Sequence, residues 1–407
     1  MRSRHWYAEM IVFSKLLADR ATVWEALRAK AGRQRRSDLL RFSSVSSPVV
    51  MWNITRACNL GCRHCYIDAT TPHPEEWTLE EGLAFIDELS AMHVPIVILT
   101  GGEPLMSPHL LEYARHAKKR GLRMVISSNG TLITPEVAQE LRKVGIQYVG
   151  VSIDSAHPEK HDAFRGVDGA FERALSGIRA ARDAGIPTGL RVTLTKHNYR
   201  ELPELIELCL AEGIPRFCVY HLVPTGRGRY IADWDLTKQQ RRWVLDVLYE
   251  RAKALKDEPI EILTTDSPMD GVYILERLRR EDPERFELAR RLLVAAGGCS
   301  IGLKVANVDF LGNVSPCHFA PHVRLGNARE TPFSELWQKN PCEQLCMLRE
   351  KERHLTGRCG RCDYVGVCGG CRQKAYFYTG DFYGEDPTCI YDPDAGQLEP
   401  PLDVEVL

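Results

Sequence analysis

Residues 48–66 run PVVMWNITRACNLGCRHCY. The first half, PVVMWNI, has the short apolar, β-branched composition of a strand buried on both faces. The second half places Cys58, Cys62 and Cys65 within eight residues. Three thiolates at that spacing converge on one centre when the loop wraps around it. The count is informative. A structural zinc takes four protein ligands, whereas a [4Fe–4S] cube held by three cysteines keeps one iron open to a non-protein ligand.

Outward from this segment the same strand signal recurs in PIVILT (95–100), LRMVIS (122–127), YVGVSI (148–153), GLRVTL (189–194) and RFCVYHL (216–222). Helical stretches lie between them. Thr78-Leu79-Glu80-Glu81 forms a capping box before GLAFIDELSAM. Asn198 is placed to cap YRELPELIELCLAEG, which ends on Gly213. Six strand–helix units imply a parallel sheet with right-handed crossovers. They are too few for a closed eight-stranded barrel, so the predicted class is α/β, an open partial (β/α)6 barrel over residues 47–230.

Residues 1–46 carry ten Lys/Arg against four Asp/Glu. They are expected to form a basic helical lead-in, with a docking surface for an anionic partner or substrate as the alternative. Residues 231–295 look mostly helical and strongly charged, as a connector. Residues 296–395 are short Gly-, Cys- and Pro-rich segments expected to build little apolar core from their own residues, so that bound metal would explain their stability, and 396–407 an extended tail.

The 407 residues carry a net charge of −1 and 14 cysteines. Near-neutral charge gives no electrostatic argument for nucleic acid or membrane. The N-terminal MRSRHWYAEMIVFSKLLADR is interrupted by Lys15 and Asp19 and has no continuous apolar core of a secretory signal. No run of about 18 apolar residues occurs. A cytoplasmic location is therefore expected, where clustered cysteines point to metal rather than disulfides.

The order C-x3-C-x2-C, with His64 just before the third cysteine, resembles the motif of the radical S-adenosylmethionine (SAM) superfamily. Thr100-Gly101-Gly102-Glu103-Pro104, directly after the second strand, strengthens the likeness. Glycines permit close backbone approach and a carboxylate accepts from an ammonium group. In the family the GGEP segment binds the methionine amino group of the cofactor. The resemblance implies that Cys58, Cys62 and Cys65 hold the catalytic cluster. It implies further that Gly101, Gly102, Glu103, Pro104, Ser127, Asn129, Ser152 and Arg191 bind the cofactor, with Asp154 nearby at the end of its strand. Cys209 and Cys218 fit as core thiols.

The C-terminal region carries Cys299, Cys317, Cys359-x2-Cys362-x5-Cys368-x2-Cys371 and Cys389. Zinc ribbons separate their pairs by about 15–20 residues, and only five lie between Cys362 and Cys368. The layout resembles the SPASM extension, in which two auxiliary [4Fe–4S] clusters are held by interleaved cysteines. That resemblance assigns Cys359, Cys362, Cys368 and Cys389 to an outer cluster and Cys299, Cys317 and Cys371 to an inner one. The chain departs from the commonest pattern: the last pair is C-x2-C, and no extra cysteine separates Cys299 from Cys317. Cys342 or Cys346 would complete the inner set, and both also suit ordinary helix packing.

PVVMWNITRACNLGCRHCY, HDAFRGVDGAFERALSGIRAARDAGI and CVYHLVPTGRGR (218–229) resemble the branch acting on tetrapyrroles, and SKLLADRATVWEALR followed by LLRFSS resembles the opening of the enzymes that act on 12,18-didecarboxysiroheme. The implied reaction removes two acetate side chains to give iron-coproporphyrin III. A 5′-deoxyadenosyl radical would initiate it, and flavodoxin or ferredoxin would donate the electron. Propionate chemistry in haem d1 synthesis, decarboxylation of iron-coproporphyrin, and peptide maturation are the alternatives. Arg165, Arg227 and Arg229 are candidate partners for substrate carboxylates, and His221, His318 and His322 for the substrate iron.

Overall fold

The computed structural model describes residues 10–18 and 47–402. All six expected strands form: β2 (Val49–Asn53), β3 (Val97–Thr100), β4 (Met124–Ser128), β5 (Val149–Ser152), β6 (Thr188–Leu194) and β7 (Arg216–His221). Each pairs in parallel with the next, in register such as Ser127 opposite Gly150 and Ser152 opposite Arg191. Helices at 79–91, 110–120, 135–144, 158–165, 170–183 and 202–211 intervene. The Thr78–Glu81 capping box is present in both directions. Trp52 on β2 is fully buried against Trp77, Phe85 and Tyr113, with ring centroids 4.9–5.4 Å apart, which anchors the first two helices to the sheet.

The sheet extends beyond the six expected strands. With β1 (Ile11–Val12), β8 (Glu261–Thr265), β9 (Val305–Val308), β10 (Asn313–Ser315) and β11 (Gly326–Asn327), its order is β1-β8-β7-β6-β5-β4-β3-β2-β9-β10-β11. β8 (Glu261–Thr265) lies inside the charged stretch expected to be mostly helical, and runs parallel to β7. It is fully buried although it opens on a carboxylate, because Glu261 pairs with the buried Arg216 at 3.1 Å. The remainder of that stretch is helical, at 238–254, 269–281 and 283–296. β9 (Val305–Val308) adds in parallel on the other side of β2, and β10 (Asn313–Ser315) and β11 (Gly326–Asn327) follow antiparallel. The Cys-rich region is thus welded to the barrel by hydrogen bonds.

Of residues 1–46 only 10–18 are described. β1 (Ile11–Val12) pairs antiparallel with β8, and a helix follows over Phe13–Ala18. The remainder of the expected lead-in lies outside the described residues. Two further expectations are corrected. Asn198 makes no helix cap: its Oδ1 accepts from the Thr195 amide, and its Nδ2 donates to the carbonyls of Asp154 and Thr193. The Cys-rich region also buries apolar residues of its own, Val314, Phe333, Trp337, Leu345 and Leu348, in one core continuous with the barrel's. The tail forms a small hairpin, Gln397–Leu398 against Tyr391–Asp392.

Candidate active site

Side chains alternate along strands, and the inward positions of six parallel strands face one cavity. Met51, Ile98, Thr100, Ser127, Ser152, Arg191, Thr193, Tyr220 and His221 line it, and the sheet therefore curls around them. The space measures about 790 Å³ with its open mouth included. Its mouth lies at the carboxyl ends of the strands, where barrels of this kind place their chemistry. Ser127, Ser152 and Arg191 meet there as expected, and the Arg191 guanidinium donates to the Ser127 hydroxyl. Gly150 makes the room: a Cβ there would lie 2.2 Å from Arg191 Nε.

The loop after β2 brings Cys58, Cys62 and Cys65 into one cluster with Leu60, Val167 and Ala170. Burial pushes the Cys58 thiol up to about 11 and raises that of Cys62. Arg165 opposes the rise at Cys62: its Nη1 lies 3.6 Å from the sulfur while Nη2 pairs with Asp154 at 2.5 Å. Soft thiolates facing a buried cation suit an iron–sulfur cluster. Among the described residues no three of His, Cys, Asp and Glu stand close enough to hold a single metal ion.

The glycines of GGEP do their work against the protein. Gly102 N–H donates to Thr55 O at 2.9 Å and Glu103 N–H to Ala57 O at 2.7 Å, which locks the end of β3 onto the residues just before Cys58. Glu103 is wholly buried. Its carboxylate accepts from Ser128 Oγ (2.9 Å), the Asn129 amide (2.8 Å) and the Leu105 amide (3.2 Å), and burial pushes its pKa up to about 7. Asn129 Nδ2 reaches Asn59 Oδ1 at 2.8 Å and lies 4.0 Å from Cys58 Sγ. Buried Pro104 opens a 3-10 turn that ends on exposed Met106. These residues form a rigid wall beside the cluster loop rather than the cavity lining.

Five of the six candidate substrate contacts are occupied otherwise. Arg165 is spent on Asp154 and Cys62. Arg227 clamps the cluster loop, donating to Cys62 O, Ala69 O and Asp68. Exposed Arg229 stacks on Tyr230. His221 lines the cavity, yet both nitrogens are used: Nε2 pairs with Asp270 at 2.8 Å and Nδ1 accepts from Arg241 at 2.9 Å. His322 is exposed and stacked on Tyr376. His318 does line the cavity, where burial lowers its pKa to about 3.

Several cavity residues carried no sequence signal of their own. Tyr66 donates to Asn53 Oδ1 at 2.6 Å and its ring meets His318 and Phe319 edge-on. Its place directly after Cys65 was the available clue. Asp266, at the end of β8, is a non-glycine residue with φ +66°. Such backbone strain gathers at functional sites. His318 and Phe319 follow Cys317, so the Cys-rich region closes one side of the barrel cavity.

That region sorts its thiols in space. Cys359, Cys362, Cys368 and Cys389 line one pocket of about 470 Å³, mouth included. Arg372 Nη2 lies 3.6 Å from Cys359 Sγ. Cys371 and Cys299 stand within electrostatic reach of each other, and Cys317 is buried beside His318. Cys342 and Cys346 are exposed, the latter on the helix Glu343–Arg349. Cys209 and Cys218 are buried in the core, as expected.

The radical SAM superfamily profile matches residues 52–209, and an iron–sulfur cluster-binding SPASM domain matches 299–363. Fe-coproporphyrin III synthase of Methanosarcina barkeri is 40% identical over 93% of this chain and 97% of its own length. Pre-heme d1 synthase of Dinoroseobacter shibae is 40% identical over 84% and 86%, and AdoMet-dependent heme synthase of M. barkeri 40% over 85% and 97%. Among solved structures, Streptococcus suis SuiB bound to its precursor peptide superposes with a TM-score of 0.68 at 16% identity, over 85% of this chain and 76% of that one, a likeness of fold. The barrel, the three-cysteine loop at its mouth and the end-to-end likeness together establish that this chain is a radical SAM enzyme with a SPASM domain, belonging with the alternative haem group.

Proposed function

We propose that this enzyme removes the two acetate side chains of 12,18-didecarboxysiroheme to give iron-coproporphyrin III. The observation that carries the reading is the extent of the likeness to Fe-coproporphyrin III synthase, which spans 388 residues at 40% identity; at the same identity the pre-heme d1 synthase of D. shibae and the AdoMet-dependent heme synthase of M. barkeri align over 348 and 346. The cavity supports it: aromatic Tyr66, Tyr220 and Phe319 suit a planar macrocycle.

In this reading Cys58, Cys62 and Cys65 hold the catalytic [4Fe–4S] cluster, which with bound S-adenosylmethionine supplies a hydrogen-abstracting 5′-deoxyadenosyl radical. Ser127, Ser152 and Arg191, in the cavity, orient the cofactor, and Glu103 and Asn129 brace the cluster loop beside it. Cys359, Cys362, Cys368 and Cys389 hold the outer auxiliary cluster, and Cys299, Cys317 and Cys371 the inner one. The loop clamps from Arg165 and Arg227 fix the thiolates, while His318 and Phe319 limit water access. A flavodoxin or ferredoxin supplies the electron, in the cytoplasm.

The test is anaerobic turnover with a panel of 12,18-didecarboxysiroheme, the haem d1 precursor and iron-coproporphyrin III, reading 5′-deoxyadenosine and the porphyrin product. Cofactor cleavage coupled to acetate loss from the first substrate supports the proposal. Coupling only to either of the others, or to a peptide, overturns it.

A further inference from the structure

Lys374 is completely buried, and its Nζ has no hydrogen-bond partner among the described residues. An ammonium group carries three donors, and burying it without acceptors costs several kcal/mol. No described residue meets it. Its charge acts on three groups: Cys371, three residues earlier at the start of the same helix, Asp235 and His221. Two of these are already engaged. Asp235 accepts from Arg241, the Leu236 amide and Tyr378. His221 is held between Asp270 and Arg241. The remaining direction is toward Cys371 and its neighbour Cys299.

The other two thiol sets show what is missing here. Cys62 receives an N–H from buried Arg165 at 3.6 Å, and Cys359 one from buried Arg372 at 3.6 Å. Each set thus faces one buried cation. We infer that Lys374 is the counter-cation of the inner auxiliary cluster, donating to its sulfur atoms and raising its reduction potential. The inference rests on the assignment of Cys299, Cys317 and Cys371 to that cluster. Lys374 is a positioning residue, since it acts through the cluster. One-electron reduction adds a negative charge to the cluster, and a fixed positive charge in a low-dielectric interior favours the reduced form.

The experiment uses the full chain with Cys58, Cys62 and Cys65 all replaced by Ala, reconstituted anaerobically so that only auxiliary clusters contribute. Iron and sulfide are counted, and a potentiometric titration is followed by electron paramagnetic resonance. Lys374→Met is expected to make one of the two clusters about tenfold harder to reduce, a fall of about 59 mV for a one-electron couple. Lys374→Arg restores the parental midpoint. Loss of one cluster in Lys374→Met, with retention in Lys374→Arg, equally supports the inference. Unchanged midpoints at full iron content overturn it, as does an Arg variant that behaves like Met. Weaker tetrapyrrole binding with unchanged midpoints also overturns it, by making a substrate carboxylate the partner. A parent that binds zinc without sulfide sinks the cluster assignment itself, whatever Lys374 does.

Discussion

Replacing Gly102 by Ala strikes the contact that joins the second strand unit to the cluster loop. An ideal Cβ at Gly102 lies 2.1 Å from Ala57 O and 2.7 Å from Arg56 O, both backbone atoms. Carbon–oxygen contacts become comfortable near about 3.3 Å, so the gap must widen by roughly 1 Å. Two hydrogen bonds span that gap, Gly102 N–H to Thr55 O at 2.9 Å and Glu103 N–H to Ala57 O at 2.7 Å. Widening takes both past about 3.5 Å, where they no longer count as bonds. Leaving buried backbone groups unmade costs about 1–3 kcal/mol each, so two such bonds amount to about 2–6 kcal/mol. The loop relieves this by moving, and Cys58, one residue beyond Ala57, moves with it. The assay pairs urea unfolding of the metal-free chain with iron and sulfide counts after reconstitution. Gly102→Ala should be at least about 2 kcal/mol less stable and should lack about four of about twelve irons. Gly61 is the internal control. It sits inside the cysteine motif, yet a Cβ there meets nothing within 4 Å, and Gly61→Ala should keep both stability and iron. A Gly102→Ala protein with parental stability and iron would refute the reasoning, as would equal losses in Gly61→Ala.

Three further outcomes follow from the same geometry. Burial pushes the Glu103 carboxyl from 4.5 to about 7, so the folded chain binds this proton more tightly than the unfolded one. Its contribution to stability is full below about 4.5 and is lost as pH rises through 7, a span of about 3 kcal/mol. Glu103→Gln should remove that slope from the metal-free chain, and parallel pH–stability curves for the two proteins would contradict it. Gly150→Ala should push the Arg191 guanidinium off Ser127 while the fold persists, weakening S-adenosylmethionine binding by about tenfold, or about 1.4 kcal/mol, in equilibrium titration; parental affinity speaks against Arg191 as a cofactor contact. The double variant Cys342→Ala/Cys346→Ala should retain every iron, whereas Cys368→Ala should lose about four. Iron loss in the former would make one of those thiols a ligand.

The six central strands were legible because strands buried on both faces must be built from unbroken β-branched and apolar runs. β8 was not, since Glu261-Ile-Leu-Thr-Thr is short, begins on a carboxylate and sits between charged helices. Its burial depends on Arg216, 45 residues earlier in the chain. The sorting of the cysteines into two auxiliary sets was an expectation from resemblance; of these thiols, Cys359, Cys362, Cys368 and Cys389 line one pocket.

Sequence alone pointed to the chemistry the chain carries, because a three-thiolate motif is local: its members lie within one loop, and three rather than four of them suit a cluster with an open iron. Only the tertiary structure decided which charged and aromatic residues remain available to a ligand. Arg165 and Arg227 were candidate partners for substrate carboxylates and His221 for the substrate iron, yet each finds partners far along the chain. Arg165 serves Cys62, Arg227 serves the loop around it, and His221 is held by Asp270 and Arg241. Arg191 keeps its place in the cavity because Gly150 on the neighbouring strand leaves room for it. Burial and pairing are properties of long-range packing, and no local pattern encodes them.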